Sequence, residues 1–190
     1  MSRKRVGVLI SGRGSNMAAL VEAARNPAYP AEIVCVVSNR PDAAGLQFAR
    51  DNSIAAHAID HKQFSSREEF DSALNDYLQS QRLDIVACAG FMRIMSPVLT
   101  KAWAGRMINI HPSLLPLCKG MHTHARALAD GAKVHGCSVH YVSAELDSGP
   151  VIARAEVPVL PGDTPETLAA RVLVEEHKLY PKALAMVALT

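Results

Sequence analysis

Short runs rich in β-branched residues alternate with longer stretches whose apolar positions recur at helical spacing along the first 110 residues. Strands of period two joined by crossovers of period 3.6 imply a largely parallel sheet covered by helices. "VGVLI" predicts the first strand and "SNMAALVEAARN" the first helix, followed by "EIVCVVS" as strand and "AAGLQFARDN" as helix. "IAAHAI" continues as a strand, "SREEFDSALNDYLQSQ" as a helix, and "DIVACAG" and "RMINI" as two further strands. After His111 the rhythm changes. "HGCSVHYV" and "PVIARAEVPV" both alternate at period two around "SAELDSG", which predicts an antiparallel pair. A last amphipathic stretch, "TPETLAARVLVEEHKLYPKALAMVAL", predicts a helix that Pro181 bends or divides. The fold class expected is therefore α/β: a doubly wound, mostly parallel sheet, Rossmann-like in its first half, with antiparallel strands near the C-terminus.

Composition narrows the class of partner. With 190 residues and 49% hydrophobic content the chain can bury most of its unfolded surface in one core, so residues 1–190 are expected to form a single domain. The 20 basic and 18 acidic residues leave a net charge of +2, and beyond "SRKR" the two signs are interspersed. A nucleic-acid footprint needs a concentrated basic face, and none is visible. Cys35, Cys88, Cys118 and Cys137 are widely spaced with no CxxC pair, which disfavours a zinc or disulfide framework and suits a reducing cytoplasm. Ser11 and Gly12 cut off the apolar run "VGVLI" at once, so neither a signal peptide nor a membrane span is expected.

Two polar clusters interrupt the apolar pattern where a parallel sheet would place its ligands. The first is "LISGRGSN", between the first strand and first helix, a position where backbone N–H groups can meet a phosphate. The third position of a dinucleotide fingerprint is Met17 rather than glycine, and Ser38, Asn39 and Arg40 offer no acid for a ribose. No GK[ST] follows either. What stays open is a site for one phosphomonoester, such as a phosphosugar, or a plain strand-to-helix turn with a capping serine.

The second cluster is "NIHPSLLP". Asn109 and His111 are two apart in a strand, so they share a face, and Pro112 prevents the strand from continuing. An amide and a protonated imidazole can both donate to an oxyanion growing on a carbonyl. The partner expected to orient His111 is Asp147 in "ELDSGP". Each residue alone also has a structural use, as strand-end cap, packed histidine or turn cap; their joint occurrence with the glycine loop favours chemistry. His122 and His124 suggest a metal pair, but no third ligand has suitable spacing, so no metal is expected and a helix start or pocket lining is preferred. His135 and His140, at odd spacing, are expected on opposite faces.

"ISGRGSN", "AGFMRIMSP", "NIHPSLLP", "HTHARAL", "HGCSVHYVSAELDSGPVI" and "EEHKLYP" stand in the order and spacing of the glycinamide ribonucleotide formyltransferases, and the chain resembles that folate-dependent family from about Val6 to Pro181. The resemblance implies transfer of a formyl group from 10-formyltetrahydrofolate, as co-substrate, to the amine of glycinamide ribonucleotide in purine biosynthesis. It implies catalytic roles for Asn109, His111 and Asp147, and phosphate binding by Gly14, Ser15 and Asn16. It also implies a folate pocket built from Arg67, Met92, Arg93, Ile94, Met95, Asn109 and the loop Ser143, Ala144, Glu145, Leu146 and Asp147. Glu176 corresponds to a glutamate that contacts the acceptor's ribose. The partners implied are small molecules, with no nucleic acid and no membrane, and a homodimer left open.

The chain departs from the family pattern at "LCKG", Leu117 to Gly120, where relatives carry an aromatic-proline or similar step, and many relatives run further past the last helix. Three other readings share some of these residues: a 10-formyltetrahydrofolate hydrolase, a formyltransferase with another amine acceptor, and a non-catalytic phosphosugar-binding module. The hydrolase and the enzyme acting on initiator tRNA each carry an extra domain for which this sequence shows no segment, and "GRGSN" favours a phosphosugar acceptor.

Overall fold

The computed structural model describes residues 2–190. Its strands are β1 (Lys4–Ile10), β2 (Ala31–Ser38), β3 (Ala55–Ala58), β4 (Ile85–Cys88), β5 (Met107–His111), β6 (Val134–Tyr141) and β7 (Val151–Pro158). Its α-helices are α1 (Ser15–Ala24), α2 (Ala44–Asp51), α3 (Arg67–Ser80), α4 (Pro97–Ala102), α5 (Thr123–Ala129) and α6 (Pro165–Ala188). The strands form one sheet in the order β3-β2-β1-β4-β5-β6-β7. Strands β1 to β5 pair in parallel, while β6 runs antiparallel to both β5 and β7. The expected class is the observed one, and the order reverses at β1 and β4, where an open α/β sheet parts its loops into a crevice.

Both faces of the sheet are covered, as the apolar runs require. Val6, Val8 and Ile10 point into a core shared with α1, α2 and α6. Leu9 points the other way, into a second core with Phe70, Leu74 and Leu78 of α3 and Leu99 of α4. Burial pushes the thiols of Cys88 and Cys137 up to about 12 and that of Cys35 to about 11, so these cysteines act as small apolar side chains. No helix among the described residues is long and apolar enough to cross a membrane.

Two local expectations are corrected. Helix α6 is not divided: it runs unbroken over 24 residues with Pro181 inside it. Buried Leu179, Tyr180, Ala183 and Leu184 pin it to the sheet on both sides of the proline, which offsets the lost ladder bond. Tyr180 also donates from its hydroxyl to the Cys88 carbonyl at 2.8 Å. In the glycine loop no serine caps the helix. Ser15 is already helical, and the cap position is held by Gly14 in the left-handed region at φ 71° with no side-chain cap bond. Helix α4, which the sequence pattern did not reveal, starts at Pro97 and lies between β4 and β5.

The glycine loop is strapped to α2. Gly45 N donates to the Gly12 carbonyl at 3.0 Å, and a Cβ on Gly45 would lie 2.4 Å from Ile10 Cδ1 and 3.1 Å from the Arg13 carbonyl. The backbone oxygen cannot retreat as a side chain can. Gly45→Ala should therefore destabilise the protein by ~1–3 kcal/mol through overpacking, more than its gain in helix propensity, read as a lower urea midpoint at unchanged m.

Candidate active site

The carboxyl ends of β1, β4 and β5 converge on the segment 89–96, which carries "FMRIM" and has no regular structure. Such a loop needs anchors for its backbone, and buried side chains supply them. Ser11 Oγ accepts from Met92 N at 2.8 Å and donates to Asn39 Oδ1 at 2.6 Å. At the other end Asp71, 1% exposed on α3, accepts from Ser96 N at 2.6 Å. The apolar strip is thus held at both ends.

On β5, Asn109 lies opposite Cys88 of β4 and opposite His140 of β6, and His111 lies opposite Ser138. The loop between β6 and β7 brings Asp147 back over this edge with its own backbone left-handed at φ 51°. Asp147 is 8% exposed, and its Oδ2 accepts from Gly120 N at 2.9 Å and faces His111 Nδ1 at 3.5 Å, long for a hydrogen bond. His111 Nε2 donates to the Cys118 carbonyl at 2.9 Å. Nε2 thus meets a carbonyl and Nδ1 faces a carboxylate, which together fix the plane of the ring. The segment Leu117–Gly120 therefore closes onto Asp147 and His111.

His140 completes the cluster. Its Nδ1 donates to the Tyr141 carbonyl at 2.9 Å, which leaves Nε2 to accept from Asn109 Nδ2 at 3.2 Å. This fixes both the tautomer and the orientation of the Asn109 amide. Asp147 Oδ1 lies 3.7 Å from the same Nε2, an ion-pair distance only if the ring is charged. Desolvation lowers the His140 pKa against that pull, and its hydrogen-bond pattern is that of a neutral ring, so we take it as neutral.

A narrow cavity of about 100 Å³ opens beside this cluster. Asn109, Asp147, Ser143, Ala144, Glu145 and Leu146 line one side, and Arg93, Ile94 and Met95 the other. Cys88, Phe91, Thr100, His140 and Val142 complete the wall; none was among the expected site residues, although Phe91, His140 and Val142 lie within the quoted motifs. Met92 lines a neighbouring cavity instead, together with Arg93. His111 stands behind Asp147 and Arg67 is the first residue of α3; neither lines the cavity.

Gly14, Ser15 and Asn16 lie outside both cavities, at the N-terminus of α1, where backbone N–H groups have no side-chain cap. Glu176 of α6 reaches this point: burial pushes its carboxyl up to about 7, partly offset by a hydrogen bond from Asn16. His124 Nδ1 and His135 Nε2 lie 3.1 Å apart, so His124 pairs across to β6 and not with His122. Burial, with the nearby His124 and His111, lowers the His135 pKa to about 4. Among the described residues no group of three or more His, Cys, Asp or Glu is arranged to hold a metal ion.

The carboxyl edge of the doubly wound sheet thus sets Asn109, His111 and Asp147 beside an apolar slot. Residues 4–184 match the formyl transferase family, and the chain belongs to that family. It is 46% identical over 178 residues to phosphoribosylglycinamide formyltransferase of Escherichia coli (strain K12), covering 94% of this chain and 84% of that protein. It is 47% identical to the human trifunctional purine biosynthetic protein adenosine-3, covering 98% of this chain but 18% of that protein. Against the trifunctional relatives of Drosophila pseudoobscura pseudoobscura and Bos taurus the chain likewise spans only 14% and 18% of their length. The crystal structure of phosphoribosylglycinamide formyltransferase from Brucella melitensis superposes with a TM-score of 0.95 at 50% identity, covering 100% of this chain and 97% of that one.

The buried Glu176 carboxyl generates a pH prediction. Between about 4.5, its ordinary value, and about 7, the folded protein holds a proton that the unfolded chain has released, so this group's contribution to stability falls as pH rises through that window. Glu176→Gln removes the slope. Relative to wild type the variant should gain up to ~3 kcal/mol in urea unfolding between pH 5 and pH 8, and a flat difference would show that Glu176 titrates normally.

Proposed function

We propose that this chain transfers the formyl group of 10-formyltetrahydrofolate to the amine of glycinamide ribonucleotide, giving the formylated ribonucleotide in purine biosynthesis. The observation that carries this reading is the Asn109, His111 and Asp147 cluster at the mouth of an apolar slot. The names of the Escherichia coli and Brucella melitensis relatives support it. Residues 1–190 are read as one formyltransferase domain acting in the cytoplasm on small-molecule substrates, without a metal.

The folate ring system enters the slot between Ile94, Met95 and Val142, where flexible methionine conforms to a flat ring, and the 143–147 backbone supplies polar contacts. Met92, Arg93 and Arg67 then meet the parts of the folate that stay outside. The acceptor's phosphate sits on the N–H groups of Gly14, Ser15 and Asn16 at the start of α1. Glu176 receives a ribose hydroxyl.

The acceptor amine attacks the formyl carbon, a C–N bond forms, and the formyl oxygen takes up negative charge. Asn109, with one amide hydrogen held by His140, turns the other to that oxygen. His111 becomes a second donor once the Cys118 carbonyl releases Nε2, while Asp147 faces Nδ1 and orients the ring. As the intermediate collapses, the bond to the folate nitrogen breaks. The proton lost by the amine reaches that nitrogen through Asp147 and water.

Purified protein should show the absorbance change of folate deformylation only when glycinamide ribonucleotide is present. Equal loss of formyl without acceptor would make the chain a hydrolase, and no turnover would make it a binding module. Asp147→Asn, whose side chain tolerates the left-handed backbone, should lower kcat by ~10²–10⁴-fold with the fold intact by circular dichroism. Ser15→Ala should raise the acceptor's KM more than it lowers kcat, and a defect confined to the folate would move the phosphate elsewhere.

A further inference from the structure

Three buried polar atoms around the apolar strip, Asp71 Oδ1 on α3, Ser96 Oγ and Arg93 Nε, have no hydrogen-bond partner among the described residues. Buried groups are normally paired, so orphans gathered on two neighbouring segments mark a place where the fold gives up stability for another end.

One helix grips this stretch. Asp71 and Asn75 stand four residues apart on α3 and so share a face of it. Asp71 Oδ2 accepts from Ser96 N at 2.6 Å, and Asn75 Oδ1 accepts from Trp103 Nε1 at 2.9 Å. Phe70, next to Asp71, carries the Arg93 guanidinium 5.1 Å from its ring centroid. The Phe70–Asp71 step therefore meets both Arg93 and Ser96.

Ser96 holds the cap position of α4, yet its hydroxyl makes no cap bond. A serine there ordinarily fixes the helix start itself; here the start is fixed from α3. The N–H that Asp71 binds belongs to the Met95–Ser96 peptide, and the Ser96 carbonyl accepts from Thr100 N at 3.3 Å. Met95 and Thr100 both line the slot. Their placement thus depends on one carboxyl group that is 1% exposed and lines neither cavity.

We propose that Asp71 is a positioning residue for the formyl donor: by holding the Met95–Ser96 peptide it sets the width of the slot that takes the folate ring system. The inference rests on the proposed function, since it takes a folate to occupy the slot. The acceptor's side is independent of this grip, because α1 packs on one face of the sheet and α3 on the other.

The test is a split between the two substrates. Asp71→Ala should raise the donor's KM about tenfold, the effect of losing one hydrogen bond to a carboxylate, while kcat and the acceptor's KM stay within about twofold. Asp71→Asn, whose amide oxygen can take the place of Oδ2, should return the donor's KM to within about twofold of wild type. Ser96→Pro deletes the same bond from the other partner at a φ of -81° that proline accepts, and should raise the donor's KM like Asp71→Ala even if that variant does not fold. A purely structural role predicts lower urea midpoints with both KM values unchanged. That pattern overturns the proposal, as does an equal rise in the acceptor's KM or a donor KM in Asp71→Asn as high as in Asp71→Ala. If the wild type turns over no donor, the proposed function fails and calorimetry decides this point separately. Tetrahydrofolate binding about tenfold more weakly to Asp71→Ala than to wild type supports the proposal, and equal binding overturns it.

Discussion

One buried carboxylate organises the edge of the sheet. Asp147 draws the Gly120 N–H, the His111 ring and the neighbourhood of His140 onto one pair of oxygens, and so ties three separate segments of chain together. A carboxylate this deeply buried is tolerable only where donors surround it, and a left-handed non-glycine backbone persists only where neighbours over-determine it. The segment Leu117–Gly120 is part of the same arrangement. Cys118, Gly120 and His122 all adopt positive φ, which folds the loop back so that its amide and carbonyl reach Asp147 and His111.

The same economy holds on the other side of the crevice. The 89–96 segment has no ladder of its own, yet Ser11 and Asp71 fix its two ends from β1 and α3. Its apolar side chains can then face a ligand without being free to collapse into the core. Protonation states follow from the same burial. His140 is held neutral and presents an acceptor to Asn109, whereas Glu176 is lifted toward neutrality beside the start of α1. A slot, a charged cluster and a helix terminus are thereby set within one edge, each with its own electrostatic character.

Much of this was legible in the chain. The alternation of periods predicted the parallel strands, their crossovers and the antiparallel pair, because periodicity is imposed by burial and burial here is two-faced. The spacing of Asn109 and His111 placed them on one face, and the loop carrying Asp147 was recognisable by its polar residues and its glycine. Other features were not readable. Pro181 signals a break by local rules, but packing of its neighbours overrides them. Ser15 looked like a cap, yet Gly14 takes that place because only its backbone turns left-handed there without strain. His140 gave no sign of its part, since its partner Asn109 lies 31 residues away.

The sequence by itself determined the class of fold, the family and the identity of the polar residues at the strand ends, because these depend on period, order and spacing along one chain. Tertiary structure alone decided the tautomer of His140, the orientation of the Asn109 amide, the closing of the Cys118 loop on His111 and the hold of Asp71 on Ser96. Each of these is set by which atoms from distant segments meet within hydrogen-bond distance, and a linear pattern carries no record of such meetings.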